Sequence, residues 1–204
     1  MSPEITDRKA DVYAAGERAW MERTQRVRAR LFGPLLRAMA ALGLKPDHLT
    51  ALSLVAGLLF SPLYFSYPAW AFAALALHVL IDGLDGPLAR HLGVASPKGS
   101  FTDSMADQLV IVTSTVTLMT AGVVGLAPGV FYVVAYTVVV LFAMARNALR
   151  DPYSWLFRPR FYVYLWIPVE TWRLPGTIDY LIWICAAVLS VKVLTGFRGI
   201  RRNM

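Results

Sequence analysis

The chain has 204 residues, 57% of them hydrophobic, and a mean hydropathy of +0.52. So apolar a composition at this length excludes an ordinary water-soluble domain and points to a membrane protein. The formal net charge is +7, and the Lys and Arg residues fall at the ends of apolar segments, which suits anionic lipid head groups rather than nucleic acid.

The first 30 residues, MSPEITDRKADVYAAGERAWMERTQRVRAR, are polar and charged. They lack the short apolar core of a signal peptide and carry no lipidation signature. Residues 8–43 read as helix. In RVRARLFGPLLRAMAALG, Arg26, Arg30 and Arg37 stand among Leu31, Leu35, Leu36, Met39 and Leu42. That basic amphipathic pattern is expected to lie in the membrane interface. Apolar stretches then recur at 48–67, 69–90, 103–122, 127–147, 157–171 and 175–196. A spanning helix needs about 20 apolar residues. The fifth stretch, FYVYLWIPVETW, is short and carries Pro168 and Glu170; the sixth follows the turn signal RLPGT. The expected fold is an all-α integral membrane protein, with an N-terminal amphipathic interfacial helix and six transmembrane helices. It divides into a cytoplasmic segment, residues 1–46, and a six-helix membrane domain, residues 47–204. The single cysteine, Cys185, lies in the last apolar run; it reads as a small buried hydrophobe and allows no intrachain disulfide.

Charge sets the expected orientation. Of the 20 Lys and Arg residues, nine precede residue 47. Arg90 and Lys98 lie between the second and third stretches, and Arg146, Arg150, Arg158 and Arg160 between the fourth and fifth. Lys192, Arg198, Arg201 and Arg202 close the chain, which leaves Arg173 alone on the other side. The positive-inside rule then places both termini, and the end of the second stretch, in the cytoplasm.

That end reads HVLIDGLDGPLARHLG, residues 78–93. Carboxylates at membrane depth are costly and are functional by default. Asp82 and Asp85 are spaced i, i+3, and Asp103 and Asp107 i, i+4, so each pair shares a helix face. If the two helices are antiparallel neighbours, all four acids can converge. Four bare anions cannot share a pocket; protons or cations must neutralise them. An all-oxygen donor set without Cys or His suits Mg²⁺ or Mn²⁺, and four carboxylates suffice for two such ions. Gly83, Gly86 and Gly99 would let a phosphate approach the backbone, and Arg90 could pair with it. From the acids alone, a proton or cation path in an ion-coupled transporter, or a purely structural pairing with arginine, also stays open.

Taken whole, the pattern is Asp82-x-x-Asp85-Gly86-x-x-Ala89-Arg90, eight residues, then Gly99-x-x-x-Asp103-x-x-x-Asp107. It resembles the signature of the CDP-alcohol phosphotransferase (phosphatidyltransferase) family at every fixed position and spacing. The resemblance implies an integral membrane enzyme, of prokaryotic phospholipid-synthase type, in the plasma or inner membrane, with its active site facing the cytoplasm. Asp82, Asp85 and Asp103 would be metal ligands. Asp107 would be the catalytic base and a further ligand of Mg²⁺ or Mn²⁺, two ions being expected. Thr50, Asp82, Gly86, Ala89, Arg90 and Gly99 would bind the cytidine diphosphate part of a CDP-linked lipid donor. Thr50 sits in GLKPDHLT, where a role of Asp47 as helix cap is the plainer alternative. A homodimer among membrane lipids is also implied by the resemblance.

The acceptor alcohol is set by other residues. Lys98, Arg146, Arg150 and Arg158 are candidate acceptor-binding residues, because clustered basic groups recognise phosphate. They favour glycerol 3-phosphate or inositol phosphate as acceptor of a group from CDP-diacylglycerol. Transfer from CDP-choline or CDP-ethanolamine to diacylglycerol is the alternative within the family. A transporter would need acids along a continuous path, whereas here they gather at one end. His48, His78 and His91 have no partner at ligand spacing and read as non-catalytic.

Overall fold

The computed structural model describes residues 32–149, 151, 153 and 158–203, and they are all-α. Helix α1 covers residues 32–41. It is followed by α2 (Pro46–Tyr64), α3 (Pro68–His91), α4 (Pro97–Thr120), α5 (Leu126–Ala148), α6 (Pro159–Trp172) and α7 (Ile178–Arg202). Proline opens α2, α3, α4 and α6, where its missing N–H costs nothing and its fixed φ suits the first turn. Gly93 and Gly122, just beyond α3 and α4, take φ of 68° and 70°, the left-handed geometry that ends a helix. Apart from the 149–158 segment, the connections between α2 and α7 are five residues or fewer, which makes successive helices antiparallel.

The expected stretches match these helices to within a few residues, with two exceptions. Helix α4 begins at Pro97 rather than 103, because Ser96 caps it by accepting from the Gly99 N–H at 3.1 Å. Helix α7 continues to Arg202, six residues past the expected end of its span at 196. In α2 the N-cap is Lys45, so Asp47 lies inside the first turn instead of capping it.

Helices α3, α5 and α7 are long and apolar enough to cross a membrane. The others fall short of the expected six spans on those terms. Helix α6 has 14 residues, about 21 Å against a hydrocarbon core of roughly 30 Å. Helix α2 opens on polar Asp47 and His48, and α4 carries Lys98, Asp103 and Asp107. Of the expected lead helix, only 32–41 falls within the described residues. There Leu36, with Phe32 and Met39, packs on Leu49 of α2 and Leu88 of α3.

The main core is formed by Phe60 of α2, Leu75 of α3, Val110 and Ile111 of α4, Tyr132 of α5, Ile167 of α6 and Ile182 of α7, together with the buried Cys185. Helix α2 packs between α3 and α4, α4 meets α5, α5 meets α7, and α7 meets α6. Helix α6 also touches α3, where Trp172 and Phe72 meet edge-to-face at 4.8 Å. Polar side chains tie the helices together: Thr117 donates to Ser61 at 2.8 Å, and Gln108 to Thr137 at 2.7 Å. The buried Glu170 accepts from the N–H groups of Gly176, Thr177 and Ile178, placing an anion at the start of α7. Leu52, Val55, Leu77, Leu80, Val134, Ile184 and Val191 point outward, an apolar exterior suited to lipid.

Candidate active site

The last turns of α3 and the first turns of α4 bring acids together at one end of the bundle. One carboxylate oxygen from each of Asp82, Asp85 and Asp103 lies within 4.8 Å of the other two. Asp85 is buried, and Asp82 and Asp103 are half-buried. Three carboxylates this close repel one another, and oxygen-only ligands favour a hard divalent cation; the donor set therefore fits Mg²⁺ or Mn²⁺. Thr50 Oγ1, from the first turns of α2, donates to Asp85 Oδ2 at 3.0 Å. Its hydroxyl hydrogen is thus aimed at the carboxylate cluster.

Asp107 stands one turn further along α4, outside that three-acid cluster. Its Oδ2 pairs with Arg160 Nη1, while Arg160 Nη2 reaches Asp82 Oδ2 at 2.9 Å. One guanidinium from the start of α6 thus bridges acids on α3 and α4. Asp107 Oδ1 is buried without a hydrogen-bond partner among the described residues. It faces His78 Nε2 at 3.8 Å. The Ser53 hydroxyl donates to the His78 carbonyl at 3.2 Å and lies 2.8 Å from Nδ1; the Ser53 carbonyl lies 3.1 Å from Nδ1. Those partners call for the proton on Nδ1, which turns the Nε2 lone pair toward Asp107.

Arg160 belongs to the arginine cluster expected near the site, but as a phosphate-binding group and not as a partner of the acids, and His78 is expected to be non-catalytic. Its signal was present in the spacing 78, 82, 85, which repeats one face of α3. For Arg160 nothing local pointed to acids 53 and 78 residues away.

Of the remaining expected residues, Arg90 folds back over Gly86, where an added Cβ would lie 3.4 Å from its Nη1. Ala89 and Gly99 are half-buried, and Lys98 is exposed. A cavity of about 450 Å³ opens between α4 and α5, bounded on its polar side by Asp103, Asp107, Gln108, Arg158 and Arg160. Arg158 thus reaches the space beside the acids. Arg146 is not part of that wall: it is buried and donates to the Asp151 carbonyl at 2.7 Å and carboxylate at 2.8 Å. Arg150 lies outside the described residues. Lys192, expected as an end-of-chain positive charge, is instead buried at 2% exposure within α7, with its Nζ 4.4 Å from the Tyr153 ring centroid.

At the end of a helix bundle, beside a cavity bounded by Arg158 and Arg160, three acids are grouped as a divalent cation would require. The chain belongs to the CDP-alcohol phosphatidyltransferase family, whose sequence profile matches residues 44–194. It is 35% identical over 121 residues to the CDP-diacylglycerol–serine O-phosphatidyltransferase of Mycobacterium leprae, covering 58% of this chain and 40% of that protein. It is 36% identical over 88 residues to the archaetidylinositol phosphate synthase of Pyrococcus horikoshii, covering 41% and 47% respectively. The chain thus matches less than half the length of either relative. Its fold is shared with the Mycobacterium tuberculosis phosphatidylinositol phosphate synthase with CDP-DAG bound, at TM-score 0.70 and 20% identity, over 84% of this chain and 94% of that one. The same synthase in complex with manganese and citrate gives TM-score 0.68 at 18% identity, over 82% and 87%.

Proposed function

We propose that the chain transfers a phosphatidyl group from CDP-diacylglycerol to a small phosphorylated alcohol, glycerol 3-phosphate or inositol phosphate, and releases CMP. The observation that carries this reading is the convergence of Asp82, Asp85 and Asp103 within a signature that matches the family at every position. Six helices, α2 to α7, form the membrane domain, α1 rides at the lipid interface, and the site opens to the cytoplasm. The protein works as a homodimer.

In the reaction the acceptor hydroxyl oxygen bonds to the phosphorus nearer the diacylglycerol. The bond from that phosphorus to the bridging oxygen breaks, and CMP leaves with the bridging oxygen. Mg²⁺ or Mn²⁺ held by Asp82, Asp85 and Asp103, with Asp107 contributing to a second ion, would offset the diphosphate charge. Asp107 takes the hydroxyl proton; Arg160 ties its Oδ2, and Oδ1 has no hydrogen-bond partner among the described residues. Thr50 orients Asp85 through its 3.0 Å hydrogen bond. Gly86, Ala89, Arg90 and Gly99 line the donor's nucleotide. Arg158 meets the acceptor's anionic group in the cavity, with Lys98 near its mouth.

A second reading, serine as acceptor, is favoured by the 35% identity to the serine transferase. Serine also presents an anion to Arg158. The test is CMP release by the purified chain in lipid, with CDP-diacylglycerol, Mg²⁺ or Mn²⁺, and glycerol 3-phosphate, inositol phosphate, inositol or serine supplied singly. Metal-dependent release with one phosphorylated acceptor is expected. Release with serine alone selects the second reading. Release with none, but with CDP-choline and diacylglycerol, overturns both.

A further inference from the structure

Arg158 and Arg160 stand at the start of α6, and Tyr153, five positions before Arg158, is fastened to α7. Tyr153 is 3% exposed. Its hydroxyl donates to the Lys192 carbonyl on α7 at 3.0 Å. Lys192 Nζ lies 4.4 Å from the Tyr153 ring centroid, and Arg146 Cζ 4.5 Å from it. Burial holds the Tyr153 hydroxyl above the usual tyrosine range, against the opposing pull of Arg146, so it stays a donor. Arg146 in turn grips Asp151 through its carbonyl and carboxylate. Asn203, just past α7, donates to the same carboxylate at 3.0 Å.

Two glycines on α7 make room for this arrangement. A Cβ at Gly196 would collide with the Tyr153 hydroxyl and lie 2.9 Å from a Phe142 ring carbon. A Cβ at Gly199 would lie 2.9 Å from Arg146 Cζ. Both glycines are buried, and both sit in a helix interior, where glycine is otherwise unfavourable. Their absent side chains form the notch that Tyr153 and Arg146 occupy.

We propose that Tyr153 is a positioning residue: it latches the α5–α6 connection into the Gly196–Gly199 notch of α7, and so holds Arg158 and Arg160 at the acceptor side of the carboxylate cluster. The role of the arginines rests on the function proposed above; the latch itself does not. A fixed point only a few residues before Arg158 limits the positions that its guanidinium can reach.

The test uses the full chain in lipid nanodiscs, as wild type, Tyr153→Phe, Tyr153→Leu and Gly196→Ala. Limited trypsin digestion reads the latch without turnover: mass spectrometry follows the fragment that begins at Asp151. Tyr153→Leu and Gly196→Ala should release it about tenfold faster than wild type, with Tyr153→Phe between. CMP-release kinetics read the positioning. The acceptor KM should rise about tenfold in Tyr153→Leu, while the CDP-diacylglycerol KM stays within about twofold. An unchanged digestion rate overturns the latch. Faster digestion with an unchanged acceptor KM, or with both KM values raised alike, overturns the positioning role. A wild type that releases no CMP with any acceptor refutes the proposed function, and the digestion rates then decide the latch alone.

Discussion

Consider replacing Arg160 by glutamine. The Arg160 side chain is 4% exposed, and those of Asp82 and Asp107, which it pairs with, are 12% and 16% exposed. Glutamine keeps the polar character but removes the charge. Two enclosed carboxylates, on α3 and α4, are then left without their shared cation. Losing one partner of a buried ion pair costs about 3–5 kcal/mol, most of it from the stranded charge. For a chain of this size each kcal/mol moves the midpoint by roughly 2–4 °C, so Tm should fall on the order of 10 °C. Tryptophan emission during a thermal ramp in detergent would measure it. Mn²⁺ should narrow the gap between variant and wild type, because it supplies positive charge to Asp82. A Tm within about 2 °C of wild type in metal-free buffer would refute the argument that this guanidinium carries the electrostatics of the site.

Other outcomes follow from the same geometry. Asp107→Asn should lower CMP release by about 10²–10⁴-fold, the usual contribution of a general base, while CDP binding by calorimetry is largely kept. Near-normal turnover would remove Asp107 from that role. Asp85→Ala should abolish Mn²⁺ binding in paramagnetic resonance titrations. Thr50→Val, which strips one charge-assisted hydrogen bond, should weaken Mn²⁺ binding by about tenfold. Gly57→Ala should destabilise the fold by about 1–3 kcal/mol and leave Mn²⁺ affinity alone. Its Cβ would press on the Val110 methyls at 2.5 and 2.7 Å, where α2 crosses α4. Loss of Mn²⁺ binding in that variant would mean that the α2–α4 contact shapes the site as well as the core.

Much of this protein is written in local pattern. Prolines at helix starts, and glycines after them, mark where helices begin and end, because those effects act within a turn of chain. The four aspartates and their spacings identify the family and the donor set, since i, i+3 and i+4 place side chains on one face whatever the surroundings. What the local pattern left open depends on contacts between residues distant in the chain. From sequence Arg160 is one of a cluster that reads as phosphate-binding or as positive-inside charge, and only the docking of α6 on α3 and α4 seats it between Asp82 and Asp107. His78 looked isolated until the packing of α2 on α3 brought Ser53 to its Nδ1 and the first turns of α4 brought Asp107 to its Nε2. From sequence Arg146 is a candidate acceptor-binding residue and Lys192 an end-of-chain charge; the fold buries both around Tyr153. Residue type and spacing on one helix determine which groups can share a face. Which charge is spent on holding the fold, and which is left to meet a substrate, is decided only when the helices pack and each cation finds its nearest acid.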